Sequence, residues 1–181
     1  MRIEELARPL RTCAAMDVIA TGGLSEGSLS HKCGSIAVDP RGVPYILYSA
    51  GNESTSEMLI AAPNDRMGWK QTSLARQWPG WQIGPAANMA FDKQETMFAT
   101  AILSRENKSG IVLLVSYDDD DSFSMRHLSS HLPCDRKWWP NLERPTDHNV
   151  TTERPGVLFT AGSRREGNDD ILSNDVYWIG W

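Results

Sequence analysis

Two short stretches concentrate the residues best suited to hold a ligand: Arg76-Gln77-Trp78-Pro79-Gly80-Trp81 and Arg136-Lys137-Trp138-Trp139-Pro140. An indole face stacks on the apolar face of a sugar ring, and an arginine fork pairs two N–H groups with a carboxylate or sulfate. Trp78, Trp81, Trp138 and Trp139 are therefore candidate stacking residues, and Arg105, Arg164 and Arg165 are candidate anion clamps. Asn149 adds a neutral hydrogen-bonding group. For acid-base work the candidates are His148 as the titrating group and Glu106 as its carboxylate partner, with Glu166 offering the same chemistry. An anionic glycan would suit the whole set. Bland readings stand beside these: large aromatics dominate cores, a loop histidine often only bonds backbone, and charged loop residues are usually just solvated. The chain has no Ser-His-Asp order, phosphate loop or metal-ligand spacing, so neither metal nor cofactor is expected.

Composition narrows the classes. The chain has 181 residues, enough for one domain with a sizeable core, and its 40% hydrophobic and 23% charged residues argue against wholesale disorder. A net charge of −5 argues against a nucleic-acid binder, which needs a basic surface for phosphate. Cys13, Cys33 and Cys134 include no CxxC pair and are read as free thiols. The first residues lack the apolar core of a secretory signal and no run approaches membrane-spanning length, so no membrane partner is expected and the compartment stays open.

The elements that must position these residues read as strands. Residues 1–33 form an irregular segment with one strand-like stretch at Asp17 to Ala20. Then Ser35 to Asp39 alternates, Pro40-Arg41-Gly42 turns, Val43 to Ser49 returns, and Glu57 to Ala62 and Trp69 to Leu74 follow as third and fourth strands. The order repeats: Asn88 to Asp92 falls on Ser35 to Asp39 at an offset of 53 (92 − 39), and Phe98 falls on Tyr45. A third copy 61 residues later (149 − 88) places Glu153 on Asp92 and Phe159 on Phe98. Units of four antiparallel strands repeated in series are the pattern of an all-β propeller; the chain supplies about two and three quarters such blades, at 34–75, 84–130 and 147–181. Closure normally takes at least four, so an oligomer that completes the propeller, or a longer chain, is expected.

Between the third and fourth strands of the second unit lies Ser116-Tyr117-Asp118-Asp119-Asp120-Asp121-Ser122-Phe123. Ser116, Asp118, Ser122 and Phe123 match the Asp-box, Ser/Thr-x-Asp-x-Gly-x-Ser/Thr-Trp/Phe, with Asp120 where that pattern has Gly; in the first unit only Trp69 and, loosely, Asn64 correspond. In these features the chain resembles the BNR or Asp-box repeat propellers over roughly residues 34 to 181. A rival reading takes Asp118, Asp120 and Ser122 as calcium ligands, but no distal Glu or turn Gly completes such a loop.

The resemblance implies that ligands bind on the face opposite the Asp boxes, which gathers the loops carrying the tryptophans, arginines and His148. It also implies sugar chemistry of two kinds. Sialidase-like members use an arginine triad, a Tyr/Glu nucleophile pair and an Asp acid/base, a set that cannot be placed here. Related polysaccharide lyases use His or Tyr as base and acid with Arg neutralising a uronate, and His148 with the Arg loops fits that scheme. The expectation is a carbohydrate-binding or carbohydrate-active propeller segment of hydrolase or lyase type; the alternative is a non-catalytic glycan-binding or protein-interaction propeller. Trp69, Trp178 and Trp181 are expected in the core, and His127 and His131 at the surface.

Overall fold

The alternating run that ends at Val38 and the β-rich run that begins at Pro44 pair as an antiparallel hairpin, and this pattern of adjacent strands continues along the chain. A computed structural model describes residues 30–51, 56–64, 68–74, 78–84, 88–105, 108–117, 122–134, 136–143, 154–164 and 171–180. Among them every regular element is a strand. The first sheet runs in the order β1 (Ser30–Val38), β2 (Pro44–Gly51), β3 (Ser56–Asn64) and β4 (Gly68–Ser73). In the second, β5 (Gln82–Ile83) and β6 (Asn88–Phe91) share one edge of β7 (Met97–Arg105), followed by β8 (Lys108–Ser116) and β9 (Ser124–His127). The third holds β10 (Arg136–Leu142), β11 (Val157–Arg164) and β12 (Ile171–Ile179).

All the pairings are antiparallel and, apart from β5, which pairs with β7, each strand within a sheet adjoins its sequence neighbour, so the sheets are up-and-down meanders. Period-two alternation lets a strand bury both sides at once. Leu47, Met58 and Ile60 of the first sheet meet Met89, Leu103 and Leu114 of the second in one core. The opposite face of the second sheet, with Phe98, Ile111 and Leu113, meets Val157, Phe159 and Ala161 of the third. The sheets are thus stacked in sequence order, and among the described residues none closes on itself.

Two hairpin turns are closed by the same pattern of bonds. Asp39 Oδ1 accepts the backbone N–H groups of Arg41 (2.9 Å) and Val43 (2.8 Å), and Asp92 Oδ1 accepts those of Gln94 (2.9 Å) and Thr96 (2.8 Å). A short acid that can bond its own turn is favoured at such a corner. The two turns lie 53 residues apart (92 − 39) and each has a left-handed residue, Gly42 (φ 88°) and Glu95 (φ 66°).

The third unit corrects the sequence alignment. Its hairpin acid is Glu143, whose N–H bonds the Gly156 carbonyl (2.8 Å) while its Oε2 accepts the Gly156 N–H (3.0 Å). Its first described strand is β10, paired with β11, where the sequence suggested a loop followed by a strand near Asn149. Glu153 lies outside the described residues. Phe159 turns toward the second sheet, so Leu158 holds the place of Phe98. A longer hairpin connection and a bulge between Trp138 and Asn141 both shift the spacing that a sequence alignment relies on.

Candidate functional site

Antiparallel order gathers two sets of connections at opposite ends of the stack. One end carries the hairpin turns at Asp39 and Asp92 together with the β3–β4 and β8–β9 turns. The other carries the ends of β7 and β9 and the starts of β5 and β10, and it is there that the tryptophan and arginine stretches lie.

Trp78-Pro79-Gly80-Trp81 forms a tight turn, with the Trp81 N–H bonded to the Trp78 carbonyl (3.3 Å) and Gly80 at φ 85°. Proline followed by a positive-φ glycine is the sequence such a turn demands. Trp78 packs against the core between the first two sheets, which makes it an anchor. Trp81 is half-buried and continues the β5–β7 register, in which Gln82 faces Ser104, so its next partner across the sheet is Arg105. The Arg105 guanidinium lies 5.9 Å from the Trp81 ring centroid, and the His127 ring lies 6.1 Å from it at a tilt of 52°. Arg105 and His127 are exposed. A cation over an indole face is attracted by the ring quadrupole, which holds the long arginine side chain beside the ring.

His127 is the member of this group that the sequence reading set aside as a surface residue. It is at the surface, but it shares a rim with Trp81. The available signal was its place in the last strand of the second unit, since Val112 opposite His127 sits on the same face of the sheet as Ile83 and Leu103.

The second stretch is a strand, not the expected incoming loop. Lys137 is buried; its backbone N–H donates to the Ser109 hydroxyl (2.8 Å), tying the third sheet to the second, and its ammonium donates to the Cys134 carbonyl three residues back. Adjacent residues on an extended strand point to opposite faces. Trp139 departs from this with φ 48°, a left-handed conformation unusual for a bulky side chain, and its ring ends 6.4 Å from that of Trp138. Trp138 is half-buried and Trp139 exposed, giving the rim a second aromatic pair.

Of the other expected site residues, His148, Glu106, Arg165 and Asn149 lie outside the described residues, as does the side chain of Arg164 at the end of β11. Asp118 to Asp121 of the acidic turn lie outside them too. In the equivalent turn of the first unit Asn64 Oδ1 accepts the Gly68 N–H (3.2 Å), the turn-closing job assigned to the Asp-box acid, and Trp69 packs on the outer face of the first sheet. Trp178 departs from expectation: it covers Gly156 but is exposed on the outer face of the third sheet.

The turn end is not featureless. A cleft of about 620 Å³ between the first and second sheets is lined by Arg41, Tyr45, Lys70, Thr72, Glu95 and Ser116 among others. Arg41 closes one side, pairing with Asp39 (2.9 Å) and, across the sheets, with Glu95 (3.2 Å). Burial alone would raise the Asp39 carboxyl, but the Val43 N–H, the Arg41 guanidinium and the Arg41 N–H together hold it below its ordinary value. Among the described residues no group of three or more His, Cys, Asp or Glu side chains could hold a metal ion. No family model, curated protein or solved structure matches the chain.

Proposed function

We propose that this chain is a segment of a β-propeller of the Asp-box kind whose tryptophan-rich rim binds an anionic carbohydrate. The observation that carries the reading is the Trp81–Arg105 pair: an indole fixed by a tight turn, with an exposed guanidinium beside its ring. A uronate or sulfated sugar has an apolar ring face for the first group and an anion for the second. Trp138 and Trp139, on the neighbouring sheet at the same end, offer a further stacking surface. The propeller reading draws its support from the three consecutive meanders and their recurring hairpin acids.

Titration calorimetry with a uronate oligosaccharide and its neutral, reduced counterpart tests this. The uronate form should bind, the neutral form should bind at least tenfold more weakly, and Arg105→Ala should remove most of the difference. Equal binding of the two forms, or an Arg105→Ala variant that binds like the parent, would overturn the reading. Assays for reducing ends and unsaturated products on the same ligands ask whether His148 and Glu106 add catalysis to binding.

A further inference from the structure

Each unit uses its two faces differently, one toward the preceding sheet and one toward the following sheet, and neighbouring units are tied in the same way at both junctions. The Ser35 hydroxyl accepts the Met89 N–H (3.3 Å), and Asn88 Nδ2 donates to the Pro140 carbonyl (2.9 Å). Counted back from the hairpin acid, Ser35 and Asn88 hold one position (39 − 35 = 92 − 88 = 4), and Met89 and Pro140 hold the next (92 − 89 = 143 − 140 = 3). In the third unit the bulge intervenes, and the residue that faces Thr160, as Asn88 faces Thr100, is Trp138; in the first unit the second position is Ile36 (39 − 36 = 3).

Ile36 is 59% exposed. Leu158 (42%), Val176 (68%) and Trp178 (58%) share the outer face of the third sheet, since Leu158 pairs with Trp178 and Thr160 with Val176. Phe98, the counterpart of Leu158 in the second unit, is buried against the third sheet. On the outer face of the first sheet Val38 is 57% exposed beside Ile36, while Tyr48, Ala50 and Ala61 farther across the same face are buried. Among the described residues each of these outer faces therefore keeps apolar side chains exposed, and the kind of junction that would cover them is one the chain already makes twice. Clustered exposed apolar side chains of this sort mark interaction surfaces.

We infer that the outer face of the third sheet docks on the outer face of the first sheet of a second copy of this chain, with Leu158, Val176 and Trp178 of one copy against Ile36 and Val38 of the other. The association is head-to-tail, since the two faces differ, and it becomes finite when the rotation closes a ring. It does not depend on the carbohydrate reading.

The test is light scattering on the full 181-residue chain, whose single copy has a mass of 20.2 kDa. The parent should give a discrete oligomer. Val176→Asp and Ile36→Asp should each reduce it to one copy with an unchanged circular dichroism spectrum, as both side chains point outward. Mixed in equal amounts the two variants should form a complex again, because each supplies the face that the other lacks. A parent chain at the mass of one copy overturns the proposal, as does an oligomer that survives either substitution, or a mixture that stays apart. Should a variant unfold, amide exchange of the parent decides: β1 and β12 should gain protection together as concentration rises, and exchange that ignores concentration refutes the docking.

Discussion

Replacing Asp39 by alanine tests whether the hairpin acids hold this architecture through hydrogen bonds to their own turns. The side chain is buried and accepts two backbone N–H groups on Oδ1, while Oδ2 meets the half-exposed Arg41 guanidinium. A hydrogen bond to a charged group contributes about 1.5–3 kcal/mol. Because Arg41 and Gly42 face solvent, water can replace part of what is lost, and the lower end applies; two bonds then amount to about 3 kcal/mol. The ion pair adds about 1 kcal/mol at most, given the exposure of Arg41. For a chain of this size the sum corresponds to a fall in melting temperature of roughly 6–16 °C, read by circular dichroism and by urea titration. Asp92→Ala separates the terms, because Asp92 makes the same two backbone bonds, to Gln94 and Thr96. The two alanine variants should agree to within about 1 kcal/mol, the margin left to the ion pair, and Asp39→Asn, which keeps the acceptor oxygen, should be milder. A large loss for Asp39→Ala with almost none for Asp92→Ala would refute the reasoning and assign the energy to Arg41. The same carboxyl sets an acid limit. Held below its ordinary value of 3.8, it is fully stabilising above that pH, and its contribution is lost as the pH falls through the lower folded-state value. Asp39→Asn should flatten that part of the stability profile.

Two further substitutions probe the packing and the turns. Thr100 is fully buried on β7 and its hydroxyl has no hydrogen-bond partner, so Thr100→Val, equal in shape, should raise stability by about 1 kcal/mol in urea titration; a loss of that size would mean that the hydroxyl is satisfied. Glu95 occupies the left-handed corner that Gly42 fills in the first unit, so Glu95→Gly should cost nothing or stabilise slightly despite the loss of an exposed ion pair, whereas Gly42→Ala should cost about 1 kcal/mol. The reverse order in melting temperature would show that the two turns are not equivalent.

Much of the strand pattern was legible because alternation and turn chemistry are local. Ser35 to Val38, the Pro40-Arg41-Gly42 turn and the return from Val43 appear in the structure close to where the residue types place them, and so do the matching elements of the second unit. The third unit was misread because its evidence is not local. Trp138-Trp139-Pro140 looks like a loop until the pairing of Trp138 with Thr160 and of Asn141 with Leu158 on either side of the bulge is known, and Glu143 shows itself as the hairpin acid only through its bonds to Gly156. The candidate site was legible as a set of residue types. Trp78 and Trp81 look alike in the sequence, yet one anchors the rim and the other also carries Arg105 and His127 beside its ring.

What the chain's chemistry determined unaided was its period. A short acid, a turn and a return strand recur because a carboxylate that accepts its own backbone N–H groups makes the same corner wherever it stands. Which faces meet depended on stacking, since a strand alternates its side chains but cannot say which side finds a partner. Trp178, Leu158 and Phe159 show the difference: all are apolar and all lie on paired strands. Only Phe159 turns toward the second sheet and is buried, while the other two remain exposed on the far face.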